Sequence, residues 1–354
     1  MNEVGVAVAT ETFPYVYPLR FQLGCDPEVF AVTIKGVLPA YKFLPHKRDP
    51  ITFRDGERQL GESSIFWDGL QAEMTTPADA CIARIVDAVH YALKRIRTAA
   101  IAAAPDARLT VENVVAYPKH ERLIAAKEHV ELGCSPSRNV YGDAGRLVRD
   151  GRALPVRFAG GHIHFGSSIA LDKQEEVVRA LDAILGIWSV GAAASIDNPI
   201  RRKFYGLAGE YRPTKYGVEY RSLSNFWLCH PGIMSLTFEI ARVVLSAIAE
   251  NAHYAWQVDE REVRKVINES DVAGARAILT RNAKLFNYLM GSTNINSRKA
   301  RKAAINVGLH GIESVVPLYR DIEANWGLQK QWIYHATVQG AQWTTLADES
   351  ALAT

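Results

Sequence analysis

Few cysteines and little excess charge exclude several classes of protein. The four cysteines, Cys25, Cys81, Cys134 and Cys229, are widely scattered and form no Cys-x-x-Cys pair. This spacing argues against a disulfide framework or a structural zinc site, and it fits a reducing compartment. A net charge of +3 over 354 residues does not indicate a general nucleic-acid-binding protein, although basic residues cluster at Lys299–Lys302.

Long hydrophobic runs, internal repeats and low-complexity linkers are also lacking. Residues 1–12 contain no basic segment followed by a long apolar stretch, so we expect no signal peptide. The longest apolar candidates, Ala99–Ala104 and Ile240–Ala249, are too short or too interrupted by charge for the ~18–20 apolar residues that span a bilayer. Hydrophobic residues make up 48% of the chain, enough for a sizeable core. We therefore expect a globular cytoplasmic protein without membrane contact.

Hydrophobic patterns divide the chain into a strand-rich part and a helical part. Alternation and β-forming residues predict strands from near Arg20 to Ile34 and at Ile51–Phe53, Ile65–Thr76, Leu109–Ala116, Arg157–Ser167 and Val218–Leu223. Helical spacing predicts helices over residues 77–103, 119–130 and 171–194, and an almost continuous helical pattern from Pro231 to Trp343. Residues 40–63, 133–155 and 200–217 are predicted to be loops.

These elements predict an α+β architecture in which a mixed sheet has one polar face and helices cover the other. We expect a loose segment at residues 1–17 and a catalytic sheet with covering helices at residues 18–232. The helical part at residues 233–345 is expected to pack on the same domain.

The most informative stretch is Phe158–Gly166, which contains two glycines followed by His162 and His164. Glycine lets the backbone turn or approach a neighbour closely. On a strand, residues two apart lie on one face, so the two imidazoles share a face opposite Ile163 and Phe165. This pattern suggests a metal or phosphate site, and a strand with two solvated histidines is an equally good interpretation of the stretch alone.

Three other predicted strands repeat the same spacing of two. The pairs are Asp26 with Glu28, Gln71 with Glu73, and Glu219 with Arg221. If these strands are neighbours, their polar faces form one patch of carboxylates, imidazoles and a guanidinium. Such groups suit Mg²⁺ or Mn²⁺ and a phosphate. Each pair also has a structural interpretation, as a turn, a solvated strand face or a cross-strand ion pair.

Arginines that could bind phosphate or carboxylate oxygens surround this pattern. The candidates are Arg138, Arg157, Arg201, Arg202, Arg212 and Arg221, and we expect about half of them to be ordinary surface residues.

Four blocks, in order, resemble the phage-type amidoligases, which are the type 2 carboxylate–amine ligases related to glutamine synthetase and glutamate–cysteine ligase. The blocks are Gly24–Phe30, Asp68–Pro77, Arg157–Gly166 and Arg201–Asn225. The Gly-Gly-His-x-His strand is the most specific of them. The resemblance spans roughly residues 20–228 and covers the helical C-terminal third only weakly.

The resemblance implies a curved, mainly antiparallel sheet of the glutamine synthetase catalytic-domain type, which binds ATP and two or three Mg²⁺ or Mn²⁺ ions. By this analogy the metal ligands are Asp26, Glu28, Glu73, His162 and Glu219. The cofactor-binding residues are His164, Arg201, Arg202 and Lys215, and the catalytic residues are Arg221, Arg212 and Arg157.

The implied reaction uses ATP to phosphorylate a carboxylate, and an amine then attacks the acyl phosphate to form an amide. The partners are then small-molecule or peptide acids and amines, and the location is the host cytoplasm if the chain is phage-encoded. The resemblance leaves the oligomeric state open. One departure from the family pattern concerns Gly133–Asn139, where the resemblance leads us to expect a more acidic segment. If this segment contacts the acid or amine substrate, its lack of carboxylates and the presence of Arg138 leave the identity of the substrate undetermined.

Two alternatives stay open. A guanidino-kinase-like phosphotransferase has a catalytic sheet that is organised in the same way, but it yields a stable phosphorylated product. An inactive binding or scaffold protein is disfavoured because no expected ligand position carries an inert residue.

Overall fold

A computed structural model gives the fold of most of the chain. It describes residues 21–54, 61–126, 129, 137–142, 151, 153–249, 251, 253, 256, 258–292, 298–328, 336–337 and 340–341. The predicted loose segment at residues 1–17 lies outside the described residues.

The strands of the described residues form one large sheet and two small ones. Their bounds are β1 Gln22–Thr33, β2 Gly36–Leu38, β3 Ile51–Phe53, β4 Ser63–Asp68, β5 Gln71–Thr75, β6 Arg108–Thr110, β7 Val114–Ala116, β8 Arg138–Asn139, β9 Val156–Phe158, β10 Gly161–Gly166, β11 Glu210–Thr214, β12 Gly217–Tyr220, β13 Ala336–Thr337 and β14 Gly340–Ala341.

The described helices lie after β5, after β10 and throughout the C-terminal part. The α-helices are α1 Ile82–Ala103, α2 Lys119–Ile124, α3 Ser168–Asp172, α4 Gln174–Leu181, α5 Ile187–Ala192, α6 Pro231–Ala249, α7 Glu260–Glu269, α8 Val272–Arg281, α9 Ala283–Ser292, α10 Arg298–His310 and α11 Ile322–Asn325. Short 3₁₀ helices occur at Ala40–Lys42, Pro199–Lys203, Asn225–Cys229 and Ile312–Ser314, and a π-helical turn occupies Asp182–Gly186.

Strand β1 is the centre of the large sheet. The order is β3-β4-β5-β1-β10-β12-β11-β8, with β2 and β6 also paired to β1. Every pairing between these strands is antiparallel. Because β1 has 12 residues, its first part can pair with β10 and its second part with β2 and β6. The large, mainly antiparallel sheet with helices that the resemblance implies is confirmed, whereas the mixed sheet predicted from the strand pattern is wrong for these strands.

The hydrophobic core lies between the sheet and the helices. Leu23, Ile163, Phe165 and Val218 alternate with polar residues along their strands and are fully buried in it. Burial of such side chains stabilises the fold by roughly 1.5–3 kcal/mol each. The alternation therefore fixes which face of each strand carries the polar side chains.

Helix α6 is the longest apolar segment of the C-terminal part. It is the one helix of the described ranges that is long and apolar enough to cross a membrane, and 72% of its apolar window is buried inside the fold. The expectation that no segment approaches this length is therefore wrong. Glu239 and Arg242 in this helix form an ion pair with each other, which offsets the charges that interrupt the apolar sequence.

Several predicted single strands are two strands in the structure. Ile65–Thr76 is the β4–β5 hairpin, which turns at Gly69 with φ +71°, a conformation that favours glycine. Leu109–Ala116 divides into β6 in the large sheet and β7, which pairs with β9. Arg157–Ser167 likewise divides into β9 and β10. Period-two alternation continues across a tight turn, so the pattern alone does not reveal it.

Two predicted loops contain strands, and one predicted helical segment does not continue to its end. β8 lies within residues 133–155, and β11 lies within residues 200–217. Both pair at the edge of the sheet, where short polar strands are common. The helical pattern predicted to reach Trp343 is replaced by the β13–β14 pair.

The helix predicted at residues 171–194 is interrupted by the π-helical turn. Asp182 in this turn is fully buried and accepts hydrogen bonds from the Tyr220 hydroxyl at 2.6 Å and the Gly209 amide at 2.6 Å. An inserted residue of this kind redirects a side chain without ending the helix. The turn therefore ties the helical layer to β12.

Candidate active site

The sheet register brings the predicted polar pairs together on one face. Adjacent antiparallel strands place directly opposite residues within contact distance. The cross-strand partners on this face are Asp26 with His162, Glu28 with Glu73, His164 with Glu219, and Arg212 with Glu219. Tyr220, between Glu219 and Arg221, points to the opposite face and contacts Asp182. These strands are therefore neighbours, which is the condition under which the sequence predicted one polar patch.

The two glycines before the histidines make this arrangement possible. A Cβ on Gly160 would lie 2.6 Å from His162 Nε2 and 2.9 Å from the Tyr205 hydroxyl. A Cβ on Gly161 would overlap with the Ser224 carbonyl. Gly160 also donates its amide to Glu28 Oε2 at 2.5 Å and accepts from the Glu28 amide at 2.9 Å. The glycines thus allow the close backbone approach that the sequence indicates.

Three carboxylates form what we call the acidic cluster: Glu28, Asp68 and Glu73. One oxygen from each lies within 4.8 Å of the other two. Gln71 Nε2 donates to Glu28 Oε1 at 3.3 Å, and Lys47 Nζ lies 3.4 Å from Asp68 Oδ1. These donors balance only part of the negative charge.

The acidic cluster disfavours its own ionised state. Burial, followed by the charge of Asp68, raises the pKa of Glu28 to about 7. Burial and the charges of Asp26, Glu28 and Asp68 raise the pKa of Glu73 well above its ordinary value. Like charges that share a buried site require either a proton or a cation, so this cluster has the electrostatics of a cation site.

The second group, which we call the histidine cluster, comprises Asp26, His162, His164 and Glu219. One ligand atom each from Asp26, His164 and Glu219 lie within 4.8 Å of one another. His162 Nδ1 lies 3.3 Å from Asp26 Oδ1 and 3.5 Å from Glu219 Oε1, and His164 Nε2 lies 3.1 Å from Asp26 Oδ1. Both imidazoles therefore direct a nitrogen at Asp26.

Positive and negative groups compensate each other in the histidine cluster. Burial alone would raise the pKa of Asp26, but His164 and His162 hold that pKa well below its ordinary range. Burial lowers the pKa of His162, and the nearby charge of Arg221 lowers it further. Burial opposes ionisation of His164 too, but Asp26 outweighs it and raises the pKa of His164.

Two arginines complete the histidine cluster through Glu219. Arg221 Nη1 forms an ion pair with Glu219 Oε1, and Arg212 Nη1 lies 3.0 Å from Glu219 Oε2. Arg221 and Glu219 are both about 1% exposed, whereas the Arg212 side chain is 36% exposed. Arg212 is therefore the cation with access to solvent, and Arg221 is enclosed beside the carboxylate.

The donor set fits a divalent cation. Asp26 Oδ1 and His164 Nε2 are buried and have no hydrogen bond to any described residue, although they lie 3.1 Å apart. Carboxylate oxygens suit Mg²⁺, and an added imidazole is compatible with Mn²⁺. The five residues predicted as metal ligands all lie in the two clusters, and His164, predicted to lie near phosphates, lies there as well.

The structure does not bring four other predicted residues to these clusters. Arg157 donates to the carbonyls of Gly151, Leu154 and Val156. The guanidinium groups of Arg201 and Arg202 likewise donate to backbone carbonyls of their surrounding loops, including Ser222. Lys215 is exposed in the β11–β12 turn. Buried guanidinium groups require several acceptors, and backbone carbonyls supply them for these three arginines.

Three residues that adjoin the clusters carried no assignment from the sequence. Asp68 joins the acidic cluster because the β4–β5 hairpin places it opposite Gln71. The hydroxyl of Tyr205 contacts His162 Nε2, and that of Tyr216 lies 2.6 Å from His164 Nδ1. The hairpin signal at Asp68-Gly69 was available in the sequence, but no sequence signal marks the two loop tyrosines.

Comparisons with known proteins give a family match over part of the chain and likenesses to solved structures. Residues 147–305 match the model of the family described as phage phiEco32-like COOH.NH2 ligase-type 2. No curated protein matches the sequence significantly. A crystal structure of a bifunctional glutathione synthetase from Pasteurella multocida is similar with a TM-score of 0.45 and 12% identity. The similarity covers 88% of this chain and 48% of that one, so this chain spans about half the length of that protein.

The family match includes His162, His164, Arg212, Glu219 and Arg221, and it begins after the strands that carry the acidic cluster. The resemblance to the phage-type carboxylate–amine ligases of type 2 is thereby confirmed for the blocks Arg157–Gly166 and Arg201–Asn225. The match does not include the blocks Gly24–Phe30 and Asp68–Pro77, and it extends to residue 305, into the helical part that the predicted resemblance covered only weakly.

Proposed function

We propose that this protein is an ATP-dependent carboxylate–amine ligase that forms an amide through an acyl phosphate. The observation that carries the proposal is the pair of carboxylate-rich clusters side by side on one sheet face, with Arg212 and Arg221 at the edge of one of them. The family match over residues 147–305 supports the same reaction class. We further propose that the sheet is of the glutamine synthetase catalytic type and that residues 18–232 form the catalytic part.

The chemistry explains why such clusters are needed. A carboxylate is a poor electrophile, so it must first gain a good leaving group, and phosphoryl transfer depends mainly on positioning and charge neutralisation. Bound ATP with Mg²⁺ or Mn²⁺ would supply the phosphoryl group and offset its negative charge. In our proposal Glu28, Asp68 and Glu73 hold one cation, and Asp26, Glu219 and the two histidines hold another.

The chain's own cations have separate roles in this proposal. Arg212 is partly exposed and lies 3.0 Å from Glu219, so its remaining donors can bind a phosphoryl or substrate carboxylate oxygen. Arg221 is buried and paired with Glu219, so it fixes the orientation of that ligand and adds positive charge behind it. Arg157, Arg201 and Arg202 are assigned a structural role, because backbone carbonyls occupy their donors.

The direct test is turnover of the purified protein with ATP, Mg²⁺ or Mn²⁺, and pooled acids and amines. Phosphate release together with an amide detected by mass spectrometry is the expected result. A stable phosphorylated product without phosphate release would instead indicate a phosphotransferase. Binding of ATP without any turnover in a broad pool would indicate a binding protein.

Two variants test the cation assignments within that assay. Glu73→Ala and His162→Ala should each abolish metal-dependent ATP turnover, because each removes a proposed ligand from a different cluster. Glu260→Ala is the matched control, since Glu260 is 52% exposed and pairs with Arg179 on the surface. Full activity in either cluster variant would contradict the assignment of that cluster.

The acid and amine substrates are proposed to be small molecules or peptides. Arg138 is exposed on β8, the strand at the end of the sheet beside β11. Substituting Arg138 with Ala should change the substrate preference more than the affinity for ATP. An unchanged substrate profile would remove Arg138 from the substrate site.

A further inference from the structure

Each imidazole of β10 has a tyrosine hydroxyl at one ring nitrogen and a carboxylate at the other. His162 Nε2 contacts the Tyr205 hydroxyl, whereas its Nδ1 faces Asp26 at 3.3 Å and Glu219 at 3.5 Å. His164 has the reverse arrangement: Nδ1 lies 2.6 Å from the Tyr216 hydroxyl and Nε2 lies 3.1 Å from Asp26. One tyrosine hydroxyl thus contacts the Nε2 of its histidine, and the other contacts the Nδ1 of its histidine.

This arrangement determines which nitrogen of each ring is available as a ligand. A neutral imidazole has one N–H and one bare nitrogen. A metal ligand must be the bare nitrogen, and its orientation is set by the partner of the other nitrogen. If Nδ1 of His162 binds a cation beside Asp26 and Glu219, the ring proton lies on Nε2, and the Tyr205 oxygen must accept it. That oxygen also accepts from Arg221 Nη2 at 3.5 Å.

We propose that Tyr205 and Tyr216 are positioning residues that hold the two histidines in complementary tautomers. Tyr205 accepts the Nε2–H of His162 and leaves Nδ1 bare, and Tyr216 accepts the Nδ1–H of His164 and leaves Nε2 bare. Both bare nitrogens then face Asp26 as ligands for one divalent cation. The inference rests on the proposed function only in requiring that this cluster binds a cation.

The hydroxyl groups can be separated experimentally from the rest of the tyrosine side chains. The ring of Tyr205 lies 4.6 Å from the Arg201 guanidinium and meets the His162 ring edge-on at 5.6 Å. The Tyr216 side chain is 43% exposed, so little of its ring is needed for packing. A Phe substitution at either position retains the ring and removes the contact with the imidazole.

The experiment is a titration with Mn²⁺ alone, followed by electron paramagnetic resonance, of the wild type, Tyr205→Phe and Tyr216→Phe. Tyr117→Phe is the matched control, because it removes a buried hydroxyl that contacts Tyr41 and not a histidine. Both test variants should weaken one class of Mn²⁺ site by about tenfold or more, the usual effect of losing an outer partner of a ligating histidine. The control should bind as the wild type does.

A second measurement uses the wild-type protein and does not depend on the folding of a variant. Long-range proton–nitrogen NMR correlations of the Mg²⁺-loaded protein should place the proton of His162 on Nε2 and that of His164 on Nδ1. The opposite tautomer at either histidine would overturn the proposal for that residue.

The remaining outcomes also decide the question. Wild-type affinity for Mn²⁺ in both Phe variants would overturn the inference, as would a wild type that binds no Mn²⁺. If the variants lose affinity as expected but the wild type makes no amide, the inference stands and the proposed reaction is wrong.

Discussion

The acidic cluster and the histidine cluster lie on neighbouring strands of one face, yet their charges are balanced in different ways. The charges of Glu28, Asp68 and Glu73 repel one another, and Lys47, which lies 3.4 Å from Asp68, offsets only part of that charge. In the histidine cluster, Glu219 is paired with two arginines, and ring nitrogens of two imidazoles lie 3.3 Å and 3.1 Å from Asp26 Oδ1. The acidic cluster therefore needs a proton or an added cation, whereas side chains of the chain compensate part of the charge of the histidine cluster.

The difference shows that carboxylates with the same proposed role as metal ligands can have different effects on the stability of the fold. Removing a carboxylate from the acidic cluster relieves repulsion between like charges, but removing Glu219 from the histidine cluster takes away the carboxylate that is paired with the buried Arg221. Substitutions in the two clusters should therefore affect stability in opposite directions, even where both abolish activity.

The largest effect is expected for Glu219→Ala. Arg221 is about 1% exposed, so it would be a buried charge that has lost its paired carboxylate, which costs about 3–5 kcal/mol of unfolding free energy. Chemical denaturation of the metal-free protein measures this loss. Glu260→Ala, which breaks an exposed pair with Arg179, should cost less than about 1 kcal/mol. Equal losses in the two variants would remove the proposed distinction.

The next effect concerns Arg221→Lys, measured as ATP turnover. A point charge cannot reproduce the planar fork beside Glu219, and we expect turnover to fall about 100-fold, equivalent to roughly 2.7 kcal/mol. Arg157→Lys provides the contrast, because Arg157 binds backbone carbonyls away from the clusters. It should lower stability and leave turnover per folded molecule unchanged. Wild-type turnover in Arg221→Lys would make Arg221 a structural residue.

Adding Mg²⁺ should stabilise the wild-type protein, and chelation should reverse the effect. At a concentration 100-fold above the dissociation constant, binding to the folded state adds about 2.7 kcal/mol for one site. Glu73→Gln should lose much of this gain, because the acidic cluster has the greater need for a cation. Thermal melting with and without a chelator measures the effect, and an identical gain in Glu73→Gln would contradict it.

The smallest effect is expected for Glu73→Gln without metal. Burial and the neighbouring carboxylates raise the pKa of Glu73, so this group destabilises the folded state at a pH above its unfolded pKa. The neutral amide removes that cost, and the unfolding free energy at pH 8 should rise by an amount on the order of 1 kcal/mol. Denaturation under the same conditions as for Glu219→Ala provides the comparison. A large loss of stability would mean that the acidic cluster is held by contacts as the histidine cluster is.

Much of the sheet and most of the site were predictable because strand alternation is a local property. The spacing of two that puts Asp26 beside Glu28, or His162 beside His164, depends only on strand geometry. The hairpin that brings in Asp68 was not predicted, because alternation in Ile65–Thr76 continues through the turn at Gly69. The helical pattern failed near Trp343, where β13 and β14 pair instead.

The sequence by itself determined which residue types share a strand face, and hence that a patch of carboxylates and imidazoles forms if the strands are neighbours. Only the tertiary structure decided the partners. It divided the carboxylates into two clusters through the register of β1 with β5 and β10. It also placed Arg201 and Arg202 where they donate hydrogen bonds to backbone carbonyls, and it placed the hydroxyls of two loop tyrosines against the histidines. These outcomes depend on which distant segments meet, and no local periodicity encodes such contacts.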